Sequence, residues 1–359
     1  MNERHKITYL LGAGASYGSV PIWKEQGLTM RELGNRLKSK SESLPNLKAI
    51  FENIHQYGIK AMEFGTIDIY ARKLFLNNRL EELNDLKLAL SLYLDIWENF
   101  EEMRESIKNE LIKSKDIDKD RTYDAVDKRY YSLLSVILKK SNQLGVQLDE
   151  NVNFITWNYD LQLESAYESF LMERSKSLRD LDQNIKFLND GDLSKNRILH
   201  LNGMRGCFET NGKFQDIIDR EFLKMDFNKY LYELDKIYNT RNSKDNMQNS
   251  INYSWEGKDD RINVALELLK KTDILVIIGY SFPSFNKLID AQLINAFNEK
   301  GKFLFYQVLN PKLETFNFTK LNKSKFKESK DYNQFIIPNE FFPDLITGDN
   351  SENLTFVNM

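Results

Sequence analysis

Four short stretches of this 359-residue chain carry side chains suited to chemistry, and each closes an apolar run. The first, "YLLGAGAS" (residues 9–16), ends in Gly12, Ala13, Gly14, Ala15 and Ser16. Small residues let the main chain approach a pyrophosphate, and amides exposed at a helix start favour its negative charge. The second, "FITWNYDLQLE" (154–164), presents Asn158 and Asp160. The third, "RILHLNGMRG" (197–206), presents His200, and the fourth, "DILVIIGYSFPSFNKLIDAQL" (273–293), presents Gly279 and Ser281. "VLN" (308–310) adds Asn310. Each stretch also has a plain reading. The glycines can serve packing, Asn158 or Asp160 can cap a helix, and His200 can be a hydrogen-bonded core residue. Their agreement is stronger than any one of them, because ligands of open α/β sheets bind outside the carboxyl ends of the strands.

The elements that position these residues follow from hydrophobic patterning. Short β-type runs occur at 6–11, 152–157, 197–201, 273–280, 302–309 and 354–358, and several are nearly continuous in apolar residues, as in strands buried on both faces of a parallel sheet. Helical patterns lie between them, so the fold class is α/β, a Rossmann-like parallel sheet. Residues 28–150 read as a large helical insertion, with residues 1–27 and 151–359 forming the sheet domain. Within it, Thr29 and Glu32 have the spacing of a capping box, which places a helix start there. From Leu83 to Leu111 steps of three and four predict one long amphipathic helix, and 123–141 predicts another. Residues 239–260 are polar and weakly periodic, and read as a mobile loop.

A hydride-transfer site would show G-x-G-x-x-G and, about 20 residues on, an acidic residue ending a second strand. Here the glycines are Gly12, Gly14 and Gly18, one residue too long, and no strand precedes the next helix. Composition narrows the classes further. A net charge of −3 gives no general pull toward nucleic acid or anionic membrane. No apolar run reaches the roughly 20 residues of a bilayer span. "MNERHK" enters its strand at once, which predicts a cytoplasmic protein without a secretory signal. Cys207 is the single cysteine, so neither a disulfide framework nor a four-cysteine zinc site is expected. His5 and His55 lie in less informative surroundings.

In this order the motifs resemble the sirtuin superfamily, and within it the bacterial sirtuin-like NAD-hydrolase branch of anti-phage defence. "GAGAS" is similar to the sirtuin phosphate-binding turn, "TWNYD" (156–160) to its Thr-Gln-Asn-Ile-Asp motif, and "LHLNG" (199–203) to its catalytic-histidine segment. "GYS" (279–281) and "LN" (309–310) are similar to the late phosphate, ribose and adenine motifs. The resemblance implies NAD as substrate, held by Gly12, Ala13, Gly14, Ala15, Ser16, Pro21, Thr156, Gly279, Ser281 and Asn310. It implies that Asn158 orients water and ribose. His200 would accept a proton, and Asp160 would recognise the carboxamide or position Asn158. Hydrolysis would give nicotinamide and ADP-ribose.

Two departures bear on the alternatives. Where sirtuin deacylases carry Gly-Ile-Pro-Asp-Phe-Arg, this chain reads "SVPIWK" (19–24), with Ile22 for the acid and Lys24 for the arginine. The zinc module that builds the acyl-lysine groove has no counterpart. NAD-dependent deacylation, a non-catalytic NAD or ADP-ribose-binding module and ADP-ribosyl transfer therefore rank below hydrolysis. An NAD-depleting enzyme of abortive infection implies a trigger. The resemblance implies a homo-oligomer or a separately encoded partner, an ATPase or a nucleotide-processing sensor, since the chain has no Walker-type loop.

Overall fold

Six parallel strands form the centre: β1 (Ile7–Leu11), β4 (Val152–Thr156), β5 (Ile198–His200), β9 (Ile274–Ile278), β10 (Phe303–Gln307) and β11 (Lys325–Ser329). Their order across the sheet is β11-β10-β9-β1-β4-β5. The chain starts in the middle, moves outward through β4 and β5, then returns to the other side of β1. That is the doubly wound order, with its switch point between β1 and β9. Every side chain of β1 and β9 is buried, as expected when helices cover both faces. This computed structural model describes residues 5–141, 145–188, 192–210, 213–216, 226–240, 248–249, 251–257, 260–307, 325–329 and 333–338. The expected strand at 354–358 and Asn310 lie outside the described residues.

The helices are α1 (Trp23–Lys38), α2 (Lys48–Phe64), α3 (Ile67–Leu76), α4 (Leu80–Asn99), α5 (Glu101–Lys113), α6 (Lys128–Ile137), α7 (Gln162–Glu168), α8 (Leu178–Ile185), α9 (Phe227–Thr240), α10 (Arg261–Lys270) and α11 (Lys287–Phe297). Helices α1 to α5 share one hydrophobic core, which also takes in Tyr230, Leu231 and Leu234 of α9. The two leading helices pack backbone to backbone. A Cβ on Gly34 would lie 2.4 Å from the His55 nitrogen, and one on Gly58 would lie 2.4 Å from the Arg31 nitrogen. Among the described residues no helix is long and apolar enough to cross a membrane.

Several boundaries differ from the sequence reading. Thr29 is not a cap: α1 begins at Trp23 and runs across residue 28, and the Thr29 hydroxyl donates back to the Glu25 carbonyl at 2.8 Å. Glu32 instead pairs with Arg36 one turn on. The long helix is two. Phe100 leaves the helical region (φ −119°, ψ 92°), its ring packs on Phe227 and Tyr230, and Arg104 donates to the Trp97 carbonyl at 3.0 Å. Apolar periodicity continues through such a break because both halves face one core.

The pattern over 123–141 ends in a strand. An antiparallel hairpin, β2 (Leu138–Ser141) with β3 (Gly145–Leu148), follows α6 directly. Tyr130, Leu133, Leu134, Ile137 and Leu148 pack into the core of the sheet rather than with α1–α5. A second small sheet joins β6 (Cys207–Thr210), β7 (Lys213–Asp216) and β8 (Gln248–Asn249). Of the expected loop, 241–247, 250, 258 and 259 lie outside the described residues. Its Ile251 and Tyr253 are buried in the helical core, so that part is packed.

Candidate active site at the switch point

Register brings the sequence-predicted residues to one edge of the sheet. Leu11 aligns with Thr156 and with Ile278, and Thr156 aligns with His200. The residues just beyond that row, Gly12, Trp157, Leu201 and Gly279, extend the ladder: their amides donate to the carbonyls of Ile278, Leu11, Thr156 and Gln307. The glycine turn and the end of β9 are pressed together. A Cβ on Gly279 (φ 65°) would lie 2.2 Å from the Ala15 nitrogen, and one on Gly12 would lie 2.6 Å from the Tyr280 Cα. Gly14 N–H donates to the Gly279 carbonyl at 2.9 Å. The amides of Gly12 and Gly14 are therefore committed to the sheet. Ala13 is the exposed residue of the turn, which continues as a single 3-10 turn to Ser16.

Ser16 is the meeting point. Its hydroxyl donates to Asp160 Oδ1 at 2.9 Å, accepts from Asn158 Nδ2 at 3.2 Å and lies 3.3 Å from the Tyr130 hydroxyl. The same Asp160 oxygen accepts the Gln162 amide, and Thr156 Oγ1 accepts the Asn158 amide. Asn158 and Asp160 each retain 8% exposure, whereas Ser16 has none. Burial first, and the nearby Glu98 carboxylate second, push the Asp160 carboxyl up to about 7. It therefore exchanges a proton near neutrality.

His200 is 1% exposed, and both its ring nitrogens are used. Nδ1 lies 3.2 Å from the Asn158 carbonyl oxygen and Nε2 lies 2.7 Å from Glu164 Oε1. A carbonyl only accepts, so the Nδ1 proton is fixed, and the second proton is shared with Glu164. Burial disfavours the imidazolium, but Glu164 outweighs it and raises the His200 pKa above its ordinary value. His200 thus stands behind the Asn158 main chain instead of offering a lone pair to a substrate. Its carbonyl accepts from Arg261 at 3.2 Å.

Pro21 is buried at the approach to α1, and Ser281 is half-buried beyond β9. Ile22 is buried and Lys24 is exposed. Trp23 (φ 51°, 41% exposed) and Phe282 (φ 53°) hold left-handed backbone that bulky residues rarely adopt, at roughly 1–3 kcal/mol each. Beneath the turn, Arg129 donates to the carbonyls of Gly14 and Ala15 at 3.0 and 3.3 Å and pairs with Asp127 at 2.6 Å. Asp127 in turn accepts the Gly18 amide at 2.8 Å.

Sequence reasoning passed over Glu164, Glu98, Arg205, Asp127 and Arg129. Glu164 carried a signal, since it lies four residues after Asp160 in a stretch already singled out. Glu98 and Arg205 carried none, because their contact spans 107 residues of chain. Among the described residues no group of three or more His, Cys, Asp or Glu is arranged to hold a metal ion.

No protein-family model and no curated protein matches the sequence. Similar solved structures include Sir2Tm bound to a propionylated peptide, 12% identical over 90% of this chain and 88% of that chain, TM-score 0.34. Others are a structure on the mechanism and regulation of Sir2 enzymes (12%, 90% and 87%, TM-score 0.35) and a Sir2 complex with p53 peptide and NAD+ (10%, 90% and 88%, TM-score 0.32). At those scores the likeness adds no argument, and the doubly wound strand order stands on its own hydrogen bonding.

Proposed function

We propose that this chain is an NAD+ glycohydrolase: water attacks the ribose C1′, the bond to nicotinamide breaks, and ADP-ribose, nicotinamide and a proton result. The observation that carries this reading is the Ser16–Asn158–Asp160 network across the carboxyl ends of β1 and β4, next to the switch point, where burial and Glu98 raise the Asp160 carboxyl to about 7. The bond is already activated, because its electron pair leaves with a pyridinium nitrogen that becomes neutral nicotinamide. What the protein supplies is position and charge. In this reading Asn158 orients the water and the ribose, and Asp160 takes the proton the water loses, a task for a base whose pKa lies near the working pH. The exposed tip at Ala13, with Ser281 from the segment after β9, receives the pyrophosphate. His200 holds the Asn158 main chain from behind, a different role from the proton acceptor that the motif resemblance implies.

The setting we propose is also the one the resemblance implies, an NAD-depleting effector of anti-phage defence held in check by assembly or by a partner. A binding-only module is the second reading, favoured by the engagement of both His200 nitrogens. Chromatography of NAD+ incubated with wild type, Asn158→Ala, Asp160→Asn and His200→Ala decides between them. We expect nicotinamide and ADP-ribose from wild type and a loss of about 10²–10⁴-fold in Asn158→Ala and Asp160→Asn. NAD+ binding without release, alone and with co-expressed neighbouring proteins, would establish the binding module. Wild-type rates in all three folded variants would remove the site.

A further inference from the structure

The geometry points to Glu98 as a positioning residue: clamped by Arg205, it fixes the loop carrying Asn158 and Asp160 and so ties the site to the helical core. The inference deepens the proposed hydrolase site and rests on it for its kinetic consequences, though not for its structural ones. Glu98 belongs to α4, in the helical unit, yet its side chain is only 3% exposed and reaches into the loop after β4. Its carboxylate accepts the Leu161 amide at 3.3 Å and lies 3.4 Å from Gln162 Nε2. Leu161 follows Asp160 directly, and the Gln162 amide shares Asp160 Oδ1 with Ser16.

Arg205 closes the clamp from the segment after β5. Its Nε pairs with Glu98, its Nη1 with Asp95 one turn back on α4 at 2.7 Å, and its amide donates to the Tyr159 carbonyl at 2.8 Å. Asp95 is held in turn by the Tyr230 hydroxyl of α9 at 2.9 Å. Every residue from Asn158 to Gln162 thus has a bond either to Ser16, His200 and Thr156 or to this clamp; two side chains are also held elsewhere, Tyr159 donating to Asp68 of α3 at 2.6 Å and Gln162 accepting the Asp127 amide at 2.9 Å and donating to the Ala125 carbonyl at 3.3 Å. A shift of α4 along its axis would move the loop with it.

The groups facing Asp160 are Glu98 of α4, Glu164 of α7, His200 of β5, Tyr130 of α6 and, behind Glu98, Arg205. Of the charged ones, Glu98 acts on Asp160 most strongly, and it raises its pKa. Neutralising Glu98 therefore has a readout that a merely structural residue would not give. In Glu98→Gln, Arg205 keeps Asp95 as counter-ion, so the variant can fold, but the ion pair through which Arg205 holds Glu98 against the loop is lost.

The experiment is carbon-13 NMR titration of the Asp160 carboxyl in wild type, Glu98→Gln and Asp95→Asn, with steady-state kinetics on the same samples. In Glu98→Gln the Asp160 midpoint falls from about 7 toward the ordinary carboxyl range, and in Asp95→Asn it stays. Kinetically, Glu98→Gln loses kcat roughly tenfold to a hundredfold with KM held within about twofold, and its acid limb moves to lower pH. Should Glu98→Gln not fold, Glu98→Asp draws the charge back by one methylene and gives the same movement in smaller measure. An unmoved Asp160 midpoint in a folded Glu98 variant overturns the inference. If wild type cleaves no NAD+, the hydrolase reading fails while the titration still decides the clamp.

Discussion

Replacing Gly279 by alanine tests whether the switch-point crevice is closed by direct backbone contact. The new Cβ would stand 2.2 Å from the Ala15 nitrogen, 2.4 Å from the Gly14 carbon and 2.6 Å from the Gly14 Cα. All three are main-chain atoms, so no side chain can rotate away. Three terms follow: about 1–2 kcal/mol for alanine in left-handed backbone, about 1–3 kcal/mol for overpacking, and about 1 kcal/mol for the Gly14-to-Gly279 hydrogen bond. Together they come to about 3–6 kcal/mol. Unfolding entropy near 2.1 cal/mol/K per residue gives about 0.75 kcal/mol/K for this chain, hence a Tm lower by about 4–8 °C. Gly65→Ala is the control. Gly65 also has positive φ (90°), but nothing lies within 4 Å of its Cβ position. It should lose only the backbone term, about 1–3 °C. The assay is thermal unfolding by circular dichroism. Equal losses in the two variants would refute the argument from contact.

Other consequences concern the buried charges. A raised Asp160 pKa means that the folded state binds its proton more tightly, so stability falls as pH rises from about 4 to about 7. Asp160→Asn should erase that slope and exceed wild type by ~1–4 kcal/mol at pH 8 in urea unfolding; an unchanged slope would count against the assignment. For His200 the sign is the opposite, since a raised histidine pKa adds stability that is complete below about 6.5 and lost as pH climbs through the folded value. Glu164→Gln should therefore cost about 3–5 kcal/mol at pH 6 and distinctly less at pH 9. Arg129→Ala frees the carbonyls of Gly14 and Ala15. In a folded variant the KM for NAD+ should rise about tenfold, the equivalent of ~1.4 kcal/mol, and an unchanged KM would place the turn away from the substrate.

The sheet was the most legible part of the chain, because continuous apolar runs such as "ILVII" fit only strands covered on both faces. The side chains at the strand ends were legible for the same reason: once β1, β4, β5 and β9 are parallel, their carboxyl ends must share an edge. What could not be read was how those side chains are spent. His200 reads as a base in the linear sequence, whereas in space Glu164 and the Asn158 carbonyl occupy it. The break at Phe100 was hidden because α4 and α5 bury their apolar residues in one core, leaving the period intact. The strand after α6 was hidden too, since "LKKS" has no pattern of its own until Gly145–Leu148 pairs with it.

The buried acid around Asp160 carries one more consequence. Around Asp160 itself the carboxyls Glu98 and Glu164 are the nearest charges that raise its pKa, with Arg205 and His200 as their ion-pair partners. Asp160 holds a proton up to about 7 because of burial and Glu98. A cation arriving beside it acts in the opposite sense. In the proposed hydrolysis the pyridinium of NAD+ carries one positive charge that passes to the ribose as the glycosidic bond lengthens, so the field of these carboxyls would favour that transition state. Binding should then drive the proton off. With its pKa raised to about 7, Asp160 should give up part of a proton per site when NAD+ binds a slow variant such as Asn158→Ala near neutral pH, more at pH 6 and almost none at pH 9. NADH has the same phosphates and ribose but a neutral nicotinamide ring, and should release far less. Calorimetry in buffers of different ionisation enthalpy reads the proton count directly. Equal release by NAD+ and NADH would mean that the acid cluster does not face the nicotinamide end, and Asp160 would lose its place in the reaction.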